Sequence, residues 1–214
     1  MIILLPRKKY YENTANTLIK QFNKRNIEAH YFEDINSAKE KILDIIEDGS
    51  TVSWGGSMTL EEINLIDDLK QGDYNLLDRS TVKSRKEVKE IYDKAMSCDY
   101  FLMSSNAITL DGKLVNIDGT GNRIAALIYG PKNVIIVAGM NKVVLDEDTA
   151  FKRVRNEAAP INAVRLNRNT PCSHTGKCAD CLSDDCICCQ MLVTRKSLIP
   201  NRIKVILIGE ELGY

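Results

Sequence analysis

The run Asn133-Val-Ile-Ile-Val-Ala138 constrains the fold more than any other segment. Its side chains are apolar on both faces of an extended chain, so both faces must be covered, as in the central strands of parallel sheets. Parallel neighbours need crossover connections, and helical patterns lie between the other apolar runs. Thr51–Trp54, Tyr100–Met103 and Arg202–Ile208 read as strands, with short extended pieces at Glu28–Phe32 and Asn75–Leu77. Tyr11, Ala15, Leu18, Ile19 and Phe22 recur at helical spacing within Tyr10–Lys24. Helices are also predicted over Ala38–Glu47 behind Asn36 or Ser37, over Leu60–Leu69 behind Thr59, over Val82–Ser97, and from Asn122 to Tyr129. A further helix is predicted over Asp146–Ala158, with Pro160 ending it. Ile108–Leu110 and Lys113–Val115 flank Asp111-Gly112 and read as a hairpin. The expected fold is α/β, a mostly parallel sheet flanked by helices.

At 214 residues the chain has the length of one domain with an appendage. The parts are expected as a helical segment over 10–48, a sheet core over 49–168, a cysteine-rich arm over 169–190 and a closing strand segment over 191–214. Lys and Arg number 29 against 29 Asp and Glu, which argues against nucleic-acid binding as the main task. The apolar stretch at residues 1–5 precedes Arg7, Lys8 and Lys9, the reverse of a secretory signal. No run approaches the roughly 20 apolar residues that span a bilayer, so no membrane association is expected. The expected location is the cytoplasm, where clustered cysteines favour metal or redox chemistry over disulfides.

In open parallel sheets, ligands bind beyond the carboxyl ends of the strands. Four segments are expected there: Trp54-Gly55-Gly56-Ser57-Met58-Thr59, Ser104-Ser105-Asn106, Asp118-Gly119-Thr120-Gly121-Asn122 and Gly139-Met140-Asn141-Lys142. Glycine turns opening a helix present backbone N–H groups to phosphate or carboxylate. Gly55, Gly56, Gly119 and Gly121 would supply such turns. Ser57, Thr59, Asn106, Thr120, Asn122 and Asn141 would add neutral polar groups, and Arg123 and Lys142 positive charge. The expected ligand is a small anionic metabolite. Each loop also reads as an ordinary strand-to-helix turn. No Walker A motif or Gly-x-Gly-x-x-Gly fingerprint is present. Asp118, inside a glycine-rich loop, is the leading acid–base candidate, ahead of Glu61, Glu62 and Asp111. His30 reads as structural or exposed, and no hydrolytic triad is apparent.

Six of the seven cysteines lie between Cys172 and Cys189. Cys178-x-x-Cys181 suits two thiolates on one ion, and two more thiolates from Cys172, Cys186, Cys188 or Cys189 would complete a zinc site or an iron–sulfur cluster. His174 could replace one of them. Free thiols and a labile Cys178–Cys181 disulfide are the competing readings. Cys98 stands apart as a core residue. Lys152, Arg153, Arg155, Arg165 and Arg168 form a basic run with Glu157, read as a solvated face that could receive an acidic partner or an anion.

Three segments, Ser53–Ile63, Asn106–Arg123 and Val137–Lys142, together with the cysteine tail, resemble the LUD-domain family, in particular the lactate-utilisation protein C type. The resemblance spans most of the chain. It implies the fold of the sugar-phosphate isomerase and coenzyme A transferase superfamily. It also implies an accessory role in oxidising L-lactate to pyruvate with iron–sulfur oxidoreductase partners. The short members carry cysteines at the positions of Cys172, Cys178, Cys181 and Cys188, which the resemblance makes the metal set; Cys186 and Cys189 are additional. The Asn106–Asn116 segment is also similar to one in methylthioribose-phosphate isomerases and initiation factor 2B subunits, which usually carry an acid at the Asn106 position. Two alternatives stand beside the accessory role. One is a stand-alone isomerase or transferase acting on a phosphorylated sugar or coenzyme A thioester. The other is a metal-binding redox module without a substrate pocket.

Overall fold

The structure is a computed structural model describing residues 4–214; residues 1–3 of the N-terminal apolar stretch lie outside the described residues. The chain opens with α1 (Leu4–Lys24), β1 (Glu28–Phe32) and α2 (Ile35–Ile45). Next come β2 (Thr51–Trp54), α3 (Met58–Glu62), α4 (Leu65–Gln71), β3 (Asn75–Leu77) and α5 (Arg85–Ala95). The middle is β4 (Tyr100–Met103), β5 (Ala107–Thr109), β6 (Leu114–Asp118), α6 (Asn122–Ile128) and β7 (Asn133–Gly139). After the 3-10 turn Met140–Lys142 follow β8 (Val143–Val144), α7 (Glu147–Arg153), α8 (Ala159–Arg165), α9 (Pro171–Thr175), β9 (Gln190–Thr194) and β10 (Ile203–Ile208).

Six strands form one sheet in the order β1-β10-β7-β4-β2-β3, and every neighbouring pair is parallel. β7 sits between β10 and β4, with Val134 opposite Ile203 and Phe101. Its two-sided apolarity has a direct cause. Val134, Ile136 and Ala138 face a core built with Leu18, Phe22 and Val205, while Ile135 and Val137 face Ile42, Leu60 and Leu69. At about 2 kcal/mol per buried aliphatic side chain, neither face tolerates a polar substitution. The α/β architecture with helices on both faces of a parallel sheet is the one the sequence predicts.

A second sheet, β8-β5-β6-β9, stands at the C-terminal end of the first. The Asp111-Gly112 hairpin is present, with Ala107 opposite Val115 and Gly112 at φ 85°. β9 was not read from the sequence. It runs antiparallel to β6 and sets Gln190 opposite Asp118, which fixes one end of the cysteine arm beside the loop after β6.

Four local expectations are corrected. The Leu60–Leu69 helix is broken in two at Asn64, which adopts a left-handed φ of 54°. Ser57, not Thr59, caps its first half by accepting from Leu60 N. Asp34, not Asn36 or Ser37, caps α2. Pro160 does not end its helix: a π turn over Val154–Ala158 joins α7 to α8, and Pro160 lies in the first turn of α8, where a missing N–H costs little.

Candidate functional site

The loops after β2, β4 and β6 and the turn after β7 meet around a cavity of about 490 Å³. Of the candidate ligand residues, Gly56, Ser57, Asn106, Gly119, Thr120, Asn122, Arg123 and Lys142 line it, and so does Asp118. Gly55, Thr59, Gly121 and Asn141 stand behind that lining. Thr59 is fully buried and holds Lys142. Asn141 ties the turn to the C-terminal segment, accepting from Leu212 N at 3.1 Å and donating to Gly213 O at 3.2 Å.

Arg123 is the organising residue. Nη1 donates to Ser104 O at 3.0 Å and Asn116 Oδ1 at 2.9 Å, and Nη2 to Asn106 Oδ1 at 2.9 Å and Ile117 O at 2.6 Å. Nε lies 3.5 Å from Asp118 Oδ2. A guanidinium has five N–H groups, and all are engaged within the protein. Arg123 therefore pins the loop after β4 to strand β6, and its four hydrogen bonds and its ion pair are all made within the protein. Burial lowers its pKa, against which the Asp118 charge works. Asn106 fits the same picture: its Oδ1 accepts from Arg123 and from Ile117 N at 3.0 Å. Asp118 Oδ1 accepts from Gly121 N at 3.1 Å, so this carboxylate closes the glycine turn while facing the cavity. The turn N–H groups expected to await an anion are partly taken, that of Leu60 by Ser57 and that of Gly121 by Asp118.

Lys142 is buried, with 2% of its surface exposed. Nζ donates to Thr59 Oγ1 at 2.8 Å and to Ser104 Oγ at 2.9 Å. Burial, and then the charges of Arg153 and Arg123, pull its pKa down to about 7, with Glu62 and Glu157 acting weakly the other way.

Further arginines enter the cavity from elements the sequence did not connect to it. Arg79, in the 3-10 turn Arg79–Thr81, lies against Tyr92 of α5, donating to its hydroxyl at 2.5 Å. Among the described residues Arg79 pairs with no carboxylate. Gly56 makes room for it: a Cβ there would lie 2.6 Å from Arg79 Nη2. Arg165 and Arg168 line the cavity too, the first 3.7 Å from Glu61 and the second 2.9 Å from Asp185. The basic run is thus not one solvated face. Arg153 is buried, donating to Asn106 O at 2.6 Å and Glu157 at 2.9 Å, while Arg155 pairs with Asp180 on the arm. The signal that could have found Arg165 and Arg168 was their place just after a helix read as ending at Pro160.

The cysteine arm closes one side of the cavity through Asp184, Asp185, Cys186 and Ile187, and Ile187 packs over Gly119. Cys188 is the arm's inner thiol. Burial first, then the neighbouring Cys186, Cys172 and Cys178, push its pKa up to about 12. Cys181 is not among those principal neighbours, Cys189 is exposed, and His174 faces Asn169 at 3.0 Å. Among the described residues no three His, Cys, Asp or Glu side chains converge as a metal would need. Cys98 is buried in the core. His30 lies 2.7 Å from Glu28 on β1, in the main sheet and outside the cavity lining. Glu61 and Glu62 serve Arg165 and Gly213 N, and Asp111 serves the hairpin and Arg25.

Comparison with known proteins agrees with this architecture. Residues 15–208 match the family profile of the LUD domain. No curated protein matches the sequence. Among solved structures, the chain is similar to a DUF162 family protein from Deinococcus radiodurans, with TM-score 0.54 and 12% identity, over 94% of this chain and 98% of that one. A looser likeness, TM-score 0.36 and 18% identity, joins 64% of this chain to 54% of eIF2B delta from Chaetomium thermophilum. At 12% identity the first likeness speaks to the fold. Among the described residues no helix is long and apolar enough to cross a membrane.

Proposed function

The chain belongs to the LUD domain family, and from that premise we propose that it is a lactate-utilisation accessory protein that binds a small anionic metabolite or cofactor at the strand C-terminal loops. The observation that carries the reading is the charge of the cavity. Arg79, Arg165 and Arg168 line it, and Arg79 has a hydroxyl and an aromatic ring for partners in place of a carboxylate. An anion entering there gains charge-assisted hydrogen bonds in a partly enclosed site. Ser57, Thr120 and Asn122 add neutral polar groups to the same lining. Iron–sulfur oxidoreductase subunits are the proposed partners, and the cytoplasm the proposed location.

The test is a thermal-shift screen of small carboxylates, phosphorylated sugars and coenzyme A thioesters. A ligand at a hundred times its Kd stabilises by about 2.7 kcal/mol, a readable shift. Stabilisation by a small carboxylate supports the reading. A response confined to sugar phosphates or thioesters transfers the site to isomerase or transferase chemistry. Silence across the panel removes the site. In the cell, unimpaired growth on lactate after deletion, with no second copy, would remove the accessory role.

The arm carries a second part of the proposal, a zinc ion or iron–sulfur cluster on its thiols. Its support is the nearness of Cys186 to Cys188, whose N–H donates to Cys186 Sγ at 3.3 Å, and the influence of Cys172 and Cys178 in raising the Cys188 pKa. As folded, these thiols do not make a ligand set, since no three donors converge among the described residues. A metal would require the arm to close further, and nothing in the binding function is routed through one.

A further inference from the structure

Lys142 is the one buried group at the cavity whose surroundings fit a lone pair better than a charge. Its two hydrogen bonds go to hydroxyl oxygens. Each of those hydroxyls has an acceptor for its own hydrogen other than Nζ, Thr59 in Leu212 O at 3.3 Å or Ser104 Oγ at 3.4 Å, and Ser104 in Ser105 O at 3.5 Å. Two N–H donors are what a neutral amine has. An ammonium has three, and among the described residues no acceptor stands ready for the third, which is left directed toward the cavity. The charged groups around Nζ are Arg153 and Arg123 at closest effect, with Glu62 and Glu157 farther off and no carboxylate paired to it among the described residues.

Resting on the anion-binding reading above, we propose that Lys142 is a nucleophile that condenses with the carbonyl of a substrate whose anionic group is held by Arg79. The substrate class is therefore a small carbonyl compound bearing a carboxylate or a phosphate. The Nζ lone pair attacks the carbonyl carbon as the C=O π pair moves to oxygen. A proton passes from Nζ to that oxygen through the Thr59 or Ser104 hydroxyl. The C–O bond then breaks, water leaves with the second Nζ proton, and a C=N bond remains. Amine and carbonyl give imine and water, with no oxidant or reductant. At pH 7 an amine titrating near 7 is about a thousandfold richer in its free form than an ordinary exposed lysine.

The experiment incubates the full chain with pyruvate, or separately with dihydroxyacetone phosphate, in the presence of sodium cyanoborohydride, which reduces an imine to a stable secondary amine. Intact mass and peptide mapping then locate the adduct. The expected result is a single adduct on Lys142, at least about tenfold above any other lysine, with a rate that rises through pH 7. The probe that labels tells carboxylate from phosphate substrates. Binding of both probes is measured in parallel by calorimetry. Binding without an adduct on Lys142 overturns the nucleophile and leaves the anion site standing. No binding and no adduct overturns both. Adducts spread over exposed lysines, unchanged in Lys142→Met, also overturn the proposal. Because the mapping is done on the unaltered chain, the result does not depend on the variant folding.

Discussion

Lys142 and Thr59, 83 residues apart, are joined by a 2.8 Å hydrogen bond at the cavity formed by the strand C-terminal loops. The bond ties the turn after β7 to α3. It also leaves the amine among hydroxyls and arginines, with its pKa drawn down to about 7.

This relationship sets a pH dependence of stability. The unfolded chain keeps the Lys142 proton up to about 10.5, while the folded chain releases it above about 7. Between those values the unfolded state holds more protons, so stability rises with pH, by up to about 1.4 kcal/mol per pH unit. Below pH 7 both states are charged and the burial cost is fully present. Urea unfolding at pH 7, 8 and 9 should show wild type gaining on Lys142→Met across this window. Parallel trends would mean that the buried amine stays charged.

Arg123 and Arg79 should separate structure from binding. Arg123→Met strands Asp118 and the amides of Asn106 and Asn116, and should cost roughly 3 kcal/mol or more; Arg123→Lys should not restore it, because one ammonium cannot replace a five-donor fork. Arg79→Met, at the cavity wall, should change stability by about 1 kcal/mol or less, yet weaken anion binding about tenfold or more. Denaturation midpoints and ligand-induced thermal shifts, taken together, check both halves.

Two glycines should respond in opposite ways. A Cβ at Gly139 meets backbone, Glu210 O and Leu212 N, each at 2.6 Å. Gly139→Ala should therefore destabilise by about 2 kcal/mol or more, since backbone cannot step aside cheaply. A Cβ at Gly56 is crowded only by the flexible end of Arg79, at 2.6 Å, with Arg165 Nη2 in ordinary contact at 3.7 Å. Gly56→Ala should stay folded and lose ligand affinity. Calorimetric melting with and without ligand distinguishes the two.

The thiols should rank by environment. Burial pushes Cys98 up to about 11, and Cys188 reaches about 12 with its sulfur neighbours. At pH 8, iodoacetamide should label exposed Cys189 first and spare Cys98 and Cys188 until unfolding. Protection of four arm thiols, Cys172, Cys178, Cys181 and Cys188, after anaerobic purification, with zinc or iron bound, would establish the metal reading of the arm.

The sheet was legible because β7 is apolar on both faces and its neighbours alternate with helices. The loop set was legible because glycine and small polar residues cluster at strand ends. What escaped was long-range. β9 has no alternation to mark it, and it becomes a strand only by pairing with β6, more than 70 residues earlier. Arg79 lies in a polar stretch, and nothing local joins it to Gly56 or Tyr92. Arg123 reads as a ligand cation until its donors are counted. Lys142 gave no sign of burial, since its hydroxyl partners come from α3 and from the loop after β4.

The most direct test of the anion site is calorimetric titration of pyruvate into the full chain and into Arg79→Met/Arg165→Met at pH 7 and moderate salt. The wild type should show one saturable site, weakened by at least about a hundredfold in the double variant if each arginine contributes about 1.4 kcal/mol, with the fold unchanged by circular dichroism. Equal binding by both proteins would contradict it, as would a wild-type chain that binds no small anion at all.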